Sequence, residues 1–283
     1  MEPFIIAHRG ASALAEHENT LEAFEIAISL GCEYAEFDIR RTADDKLIVF
    51  HDSEIEGTAI SELSYDRLCS ITYAQGYRVP LLKEVLSLCA GRIKLDIELK
   101  ETGYEKRVIR LVKKYFDYDE FQIKSFLDIA AARVKRIDPQ ITTGLLVGVK
   151  HANIKRRINE YFPIRRLHAC KADFISPYFR LATKGFIKRM RCHRIPVFVW
   201  TVNKEKIMLR CIANGADGII SDRPDTALSI RREITKYEKV QDRFYRLRKH
   251  GKCHHQGAHR ECGCHTGENL CVRHFKGCHC KGC

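Results

Sequence analysis

From residue 3 to about residue 230, short apolar or β-branched runs alternate with helix-length segments. That alternation is the pattern of βα units feeding a parallel sheet. Strand-like runs fall at Phe4–Ala7, Tyr34–Ile39, Lys94–Leu99, Phe121–Ser125, Thr143–Val147, Asp173–Ser176, Val197–Thr201 and Gly218–Ser221. A further run, Leu47–His51, follows the turn-like Ala43-Asp44-Asp45-Lys46 and reads as a hairpin-like excursion. Helical patterns fill the gaps. Asn19 is placed to cap the first helix, and Glu22 completes a capping box ahead of the apolar spacing in Leu21–Ile28. Gly31 then stops that helix. Further helices are expected over 81–89, 103–116, 127–137, 180–192 and 204–213. Eight strands with intervening helices predict a closed α/β barrel of the (β/α)8 TIM type over residues 1–230. An open doubly wound sheet is the alternative, and its dinucleotide-binding version lacks a G-x-G-x-x-G after the first strand.

Residues 231–249 extend the pattern as a basic linker helix. Ile230, Ile234, Tyr237, Phe244 and Leu247 recur at helical spacing with Lys and Arg between them. Docking of that stripe onto the barrel is the plainer expectation, and a membrane surface or partner is the other. Eight Lys and Arg stand there against Glu233, Glu238 and Asp242, so the formal net charge of +13 gathers toward the C-terminus. Such a surplus is either solvated or attracts polyanions and anionic membrane surfaces. No stretch approaches the ~20 apolar residues of a membrane span. The N-terminus enters a strand-like run without a basic and then apolar leader. The expected compartment is therefore cytoplasmic and reducing.

The cysteines change the picture again. Cys32, Cys69, Cys89, Cys170, Cys192 and Cys211 are scattered singly and read as small buried hydrophobes. The other seven, Cys253, Cys262, Cys264, Cys271, Cys278, Cys280 and Cys283, share residues 250–283 with seven histidines. In a reducing compartment this small Cys/His-rich extension reads as a Zn2+-binding tail, with Cu+ as a softer alternative. Its C-x-C spacings depart from the C-x2-C of zinc knuckles, so site number and pairing stay open. A disordered tail with incidental metal affinity is the other reading.

In a parallel barrel the active site forms at the C-terminal ends of the strands. There the first strand runs into His8-Arg9-Gly10, and the hairpin-like run ends in His51-Asp52. The second strand carries Glu36 and Asp38, the third Asp96, Glu98 and Lys100, and the seventh ends in Trp200-Thr201-Val202-Asn203. Strand periodicity puts Glu36 with Asp38 on one face, and Asp96 with Glu98 and Lys100 on one face. Carboxylates inside a barrel need compensation. A hard divalent cation, Mg2+ or Ca2+, on Glu36, Asp38 and Glu98 would supply it. Salt bridges of Glu98 with Lys100 or Arg9 are the alternative. His8 and His51 can trade protons near neutrality. Arg9 offers a planar fork and Lys100 a second positive charge, a combination suited to a phosphodiester.

Taken in order, His8-Arg9-Gly10, Glu18-Asn19-Thr20, Glu36-x-Asp38, His51-Asp52, Glu98-x-Lys100, Trp200-Thr201-Val202-Asn203 and Asp217–Asp222 resemble the motifs of glycerophosphodiester phosphodiesterases. The resemblance implies a TIM-type barrel that hydrolyses glycerophosphodiesters to glycerol 3-phosphate and an alcohol. It also implies a divalent metal on Glu36, Asp38 and Glu98, with His8 as acid and His51 as base. Arg9 and Lys100 would hold phosphate. Trp200 would lie against the glycerol or the head group, unless it is a core residue. Glu18 would order the first loop or sit near the metal. His17 stands where the family usually has Pro, and segment 53–80 is a short insertion. A related phospholipase D or lyase acting on lysophospholipids, and a non-enzymatic metal- or polyanion-binding barrel, are the alternatives.

Overall fold

The computed structural model describes residues 2–149 and 153–250. It divides into two compact units, Met1–Tyr237 and Glu238–Cys283. In the first, the strands are β1 (Phe4–Ala7), β2 (Tyr34–Arg41), β3 (Leu47–Val49), β4 (Glu54–Ile55), β5 (Thr58–Ala59), β6 (Lys94–Leu99), β7 (Phe121–Ser125), β8 (Thr142–Val147), β9 (Phe174–Pro177), β10 (Phe198–Val199) and β11 (Gly218–Ser221). The helices are α1 (Leu21–Leu30), α2 (Tyr65–Ala74), α3 (Leu82–Cys89), α4 (Glu105–Val112), α5 (Asp128–Ile137), α6 (Ile154–Tyr161), α7 (Ile164–Cys170), α8 (Lys184–Cys192), α9 (Glu205–Asn214) and α10 (Pro224–His250).

Eight strands pair in parallel in the order β10-β11-β1-β2-β6-β7-β8-β9. Two parallel bridges, Ile175 with Val197 and Tyr178 with Trp200, join β9 to β10 and close the ring. This is the expected (β/α)8 barrel. All eight expected barrel strands form, and β3 returns antiparallel to β2, with Ile39 opposite Val49. Alternation along each strand sorts the side chains. Ala35, Phe37 and Ile39 of β2 join the large core that packs the strands against the helices. Ile6, Phe174, Phe198 and Ile220 form a separate apolar cluster with Tyr34 and Trp200. Burial of these apolar faces is what drives the fold, at about 25 cal/mol per Å2.

Three local expectations change. The cap of α1 is Thr20, whose Oγ1 accepts from the Ala23 N–H at 3.2 Å. Asn19 instead takes the left-handed conformation, φ +56°. That frees its amide for the barrel mouth. The segment 53–80 contains helix α2, capped by Ser64. Helices α6 and α7 fill the stretch between β8 and β9, where short amphipathic pieces gave little periodicity. The basic helix expected over 231–249 is the later part of α10. Ile230 is buried in the core and Ile234 packs against it, whereas Tyr237 is 66% exposed. The cysteines of the expected zinc tail lie outside the described residues. Of the six scattered ones, Cys32, Cys69, Cys89, Cys170 and Cys211 are buried as expected, and Cys192 is exposed.

A candidate active site at the barrel mouth

Chain direction places His8 and Arg9 at the mouth, directly after β1. Arg9 and Gly10 are both left-handed, with φ of +54° and +75°. A non-glycine residue in that region costs about 1 kcal/mol or more. The turn is held from three sides. The Arg9 N–H donates to Glu36 Oε2 at 3.0 Å. The Asn19 N–H donates to the Arg9 carbonyl at 2.9 Å, and the Gly10 N–H to the Glu36 carbonyl at 3.1 Å. Only glycine fits next, because a Cβ on Gly10 would lie 2.6 Å from the Ala23 carbonyl carbon of α1.

Register then aligns the acids. Glu36 stands opposite Asp96, and Asp38 opposite Glu98. Glu36, Asp38 and Glu98 are buried, and one carboxylate oxygen from each lies within 4.8 Å of the others. Lys100 Nζ sits 2.6 Å from Glu98 Oε1 and 2.9 Å from Asp38 Oδ1. The cluster and the salt bridge were alternatives in the sequence, and both are present. Asp38 also accepts from Asn19 Nδ2 at 3.0 Å, and Arg9 Nε lies 3.4 Å from it. That Arg9 N–H is not aimed at the carboxylate, so Nε is buried without a hydrogen-bond partner among the described residues. Asn19 Oδ1 is likewise buried and orphaned.

The shared lysine separates the two carboxyls. Burial opposes charge on Asp38, but Lys100, Arg9, His51 and the Asn19 amide hold it well below the usual carboxylate range. Glu98 has only Lys100 on its side. Burial pushes it up to about 7, with Asp38 and Glu36 adding their repulsion. The mouth is short of positive charge.

One layer deeper, Lys124 Nζ lies 2.6 Å from Asp96 Oδ2 and 3.3 Å from Glu36 Oε1. Gln122 Nε2 donates to Asp96 Oδ1 at 3.0 Å. Burial raises the Asp96 pKa and works against charge on Lys124, whose own pKa is nonetheless raised by Asp96 and Glu36. The 2.6 Å contact decides for an ionised pair, because an unpaired ammonium there would be prohibitively desolvated.

The imidazoles flank the cluster. His8 Nδ1 lies 2.5 Å from Asp222 Oδ1, and its Nε2 is 4.0 Å from Glu36 Oε2. Burial raises the Asp222 pKa, but His8, Asn203 and Ser12 outweigh it and set that carboxyl at about 2. Asp222 therefore accepts from Nδ1 and leaves Nε2 turned toward Glu36. Asn203 Nδ2 donates to the other Asp222 oxygen at 2.5 Å. His51 arrives on the hairpin, where the Phe50 N–H donates to the Asp38 carbonyl at 3.0 Å. Its Nδ1 lies 2.7 Å from Asp52 Oδ1. Burial and the Lys100 charge lower the His51 pKa below that of a free imidazole.

Two expected residues stand apart from the cluster. Glu18 is exposed and accepts from Arg9 NH1 at 2.7 Å, so it braces the first loop. Trp200 lies on the other half of the ring, its Nε1 donating to the Ser176 carbonyl at 2.8 Å. Sequence reading left Asp222, Asn203, Asn19 and Lys124 without site roles. Asp222 was legible by the strand-end criterion, since it follows β11 directly. Lys124 was legible from the alternation of Gln122 and Lys124 on β7. Nothing local marked Asn19 as other than a cap.

The glycerophosphoryl diester phosphodiesterase family matches residues 8–226. A glycerophosphodiester phosphodiesterase of Caldanaerobacter subterraneus is 28% identical over 254 residues, 82% of this chain and 99% of that protein. A lysophospholipase D of Homo sapiens is 26% identical over 266 residues, 77% of this chain and 83% of that protein. The crystal structure of a glycerophosphodiester phosphodiesterase from Parabacteroides distasonis superposes with a TM-score of 0.69 at 24% identity. It covers 83% of this chain and 98% of that one.

Proposed function

The chain belongs to the glycerophosphoryl diester phosphodiesterase family, hydrolysis of glycerophosphodiesters is its activity, and we propose that the barrel mouth performs it with His8 and His51 exchanging protons. The observation that carries this is the buried set of Glu36, Asp38 and Glu98, gathered within 4.8 Å beside His8. The donor set fits a divalent cation. Its oxygens are hard, its negative charge is incompletely met, and Asn19 Oδ1 is an orphaned oxygen on a side chain bonded to Asp38. Bound on Glu36, Asp38 and Glu98, Mg2+ or Ca2+ would neutralise phosphate charge and polarise the phosphorus–oxygen bonds.

The chain's own groups account for the rest. Arg9 holds a spare buried N–H for a non-bridging phosphate oxygen, and Lys100 adds positive charge next to it. His51, kept neutral near pH 7 by burial and Lys100, takes the proton of the attacking oxygen. His8, backed by the Asp222 carboxylate at Nδ1, gives a proton to the leaving alkoxide. The test is glycerol 3-phosphate release from glycerophosphoethanolamine, with and without EDTA. Turnover that survives chelation would remove the metal, and no turnover with Mg2+ or Ca2+ would remove the reading.

A lysophospholipid is the second substrate class. Leu127 and Ile129 follow β7 at the mouth and are 39% and 56% exposed. They line a cleft of about 560 Å3 with Phe126, Lys155 and Arg156. Lysophosphatidate release from lysophosphatidylcholine micelles tests that class. Zn2+ on Cys253, Cys262, Cys264, Cys271, Cys278, Cys280 and Cys283 is a separate proposal, as is polyanion or membrane-surface contact through the basic C-terminus. Zinc content and heparin retention of the full chain, against a chain ending at residue 249, test both. Among the described residues no helix is long and apolar enough to cross a membrane.

A further inference from the structure

Trp200 reaches across half of the mouth. It follows β10, yet its ring meets Phe126, which follows β7, edge-on at 5.4 Å. Tyr178, which follows β9, lies 5.4 Å away on the same indole. β7 is the neighbour of β6, which carries Glu98 and is followed directly by Lys100. The aromatic ridge therefore runs from the edge of the acidic cluster toward the β8–β9 side.

Beyond that ridge is a cavity of about 600 Å3, lined by Gly148, Arg157, Tyr178, Arg180, Leu181 and Trp200. Gly148 lets Tyr178 pack close against that wall, because a Cβ there would sit 2.3 Å from Tyr178 Cβ. Arg157 is braced at the wall, donating to Glu160 Oε2 and the Val149 carbonyl, each at 2.8 Å. Glu160 is buried and neutralises it. Arg180 sits in a tight turn, where the Leu181 N–H donates to the Tyr178 carbonyl at 2.8 Å. No carboxylate among the described residues pairs with Arg180, whose guanidinium lies 5.9 Å over the Phe179 ring. The cavity thus has an aromatic wall and an uncancelled guanidinium.

Every glycerophosphodiester shares a neutral glycerol, so surplus charge here can discriminate only through the other alcohol. Aromatic walls alone would favour a quaternary ammonium, and Arg180 reverses that preference. We propose that this cavity is the head-group subsite and that Arg180 selects an alcohol bearing a carboxylate over a purely cationic one. The inference rests on the phosphodiesterase reading above. A guanidinium pairs with a carboxylate through two parallel hydrogen bonds, which an ammonium head group cannot offer.

Glycerophosphoserine and glycerophosphoethanolamine differ only by that carboxylate, so their ratio of kcat/KM isolates it. The wild type with Mg2+ or Ca2+ is expected to favour the serine ester over the ethanolamine and choline esters. Arg180→Ala should lower the serine-to-ethanolamine ratio about fivefold to tenfold, the effect of one charge-assisted contact at an exposed site. Arg180→Glu should raise the choline ester above the serine ester. Arg180 is exposed, so both variants should fold. An unchanged ratio in both, including an equal loss on all esters, would overturn the inference and leave the phosphodiesterase reading standing. A wild type that turns over none of the three esters would overturn both.

Discussion

Two charged layers lie two residues apart on the same strands, and they are built to opposite ends. In the deeper one, Asp96 has Lys124 at 2.6 Å and Gln122 at 3.0 Å, so its charge and its hydrogen bonds are met from within the protein. In the upper one, Asp38 and Glu98 share the single ammonium of Lys100, while Glu36, level with Asp96, takes the longer 3.3 Å side of Lys124. Glu98 responds by rising to about 7. The same residue types are structural where their partners close the account and chemical where they leave a deficit. The deficit, not the mere presence of buried acids, distinguishes the site.

The contrast is broken most strongly at the histidines. His8→Ala and His51→Ala should each lower kcat by about 10^2–10^4, the usual contribution of a positioned acid or base, with the far-ultraviolet circular dichroism unchanged. Near-normal turnover in either would deny the upper layer its chemistry. Lys124→Met attacks the lower layer and should cost stability, about 3–5 kcal/mol by urea unfolding, because Asp96 is left buried and unpaired. A loss under 1 kcal/mol would show the lower layer to be unsaturated as well.

Glu98→Gln sharpens the comparison without emptying space. The wild type should gain about 2.7 kcal/mol of stability when Mg2+ or Ca2+ exceeds its Kd a hundredfold. Glu98→Gln should lose most of that gain, and an equal gain in the variant would move the cation elsewhere. The smallest effect concerns Asp222. Its carboxyl stands at about 2 when folded against an ordinary 3.8. Because the folded value is the lower one, this stabilisation is complete above pH 4 and is lost as the pH falls toward 2. It amounts to about 2 kcal/mol. Asp222→Asn should flatten that part of the stability–pH curve, and an unaltered slope between pH 4 and 2 would exclude the His8–Asp222 pair as its source.

Much of the site was legible because barrels put chemistry at predictable places. Strand ends located His8, Arg9, His51 and Lys100, and a period of two put Glu36, Asp38 and Glu98 on one face. Asn19 shows where such reading stops. In sequence it is an N-cap three residues before an acid, and Thr20 next to it serves as well. The choice between them is made by Asp38, which accepts the Asn19 amide only after β2 is docked against β1. Asp222 is similar: it lies 214 positions from His8 and meets it only when β11 pairs with β1.

The hydrophobic alternation by itself determined eight strands, their parallel arrangement and the end of the barrel that carries chemistry, because burial and pleat are properties of neighbours along the chain. Tertiary structure alone decided which charges are paired. That Lys124 sits closest to Asp96 and only second to Glu36, while Lys100 is divided between Asp38 and Glu98, depends on register and strand order. Coulombic interaction inside a protein falls off over a few ångströms and gains strength from burial, and neither distance nor burial across strands is written in the local sequence.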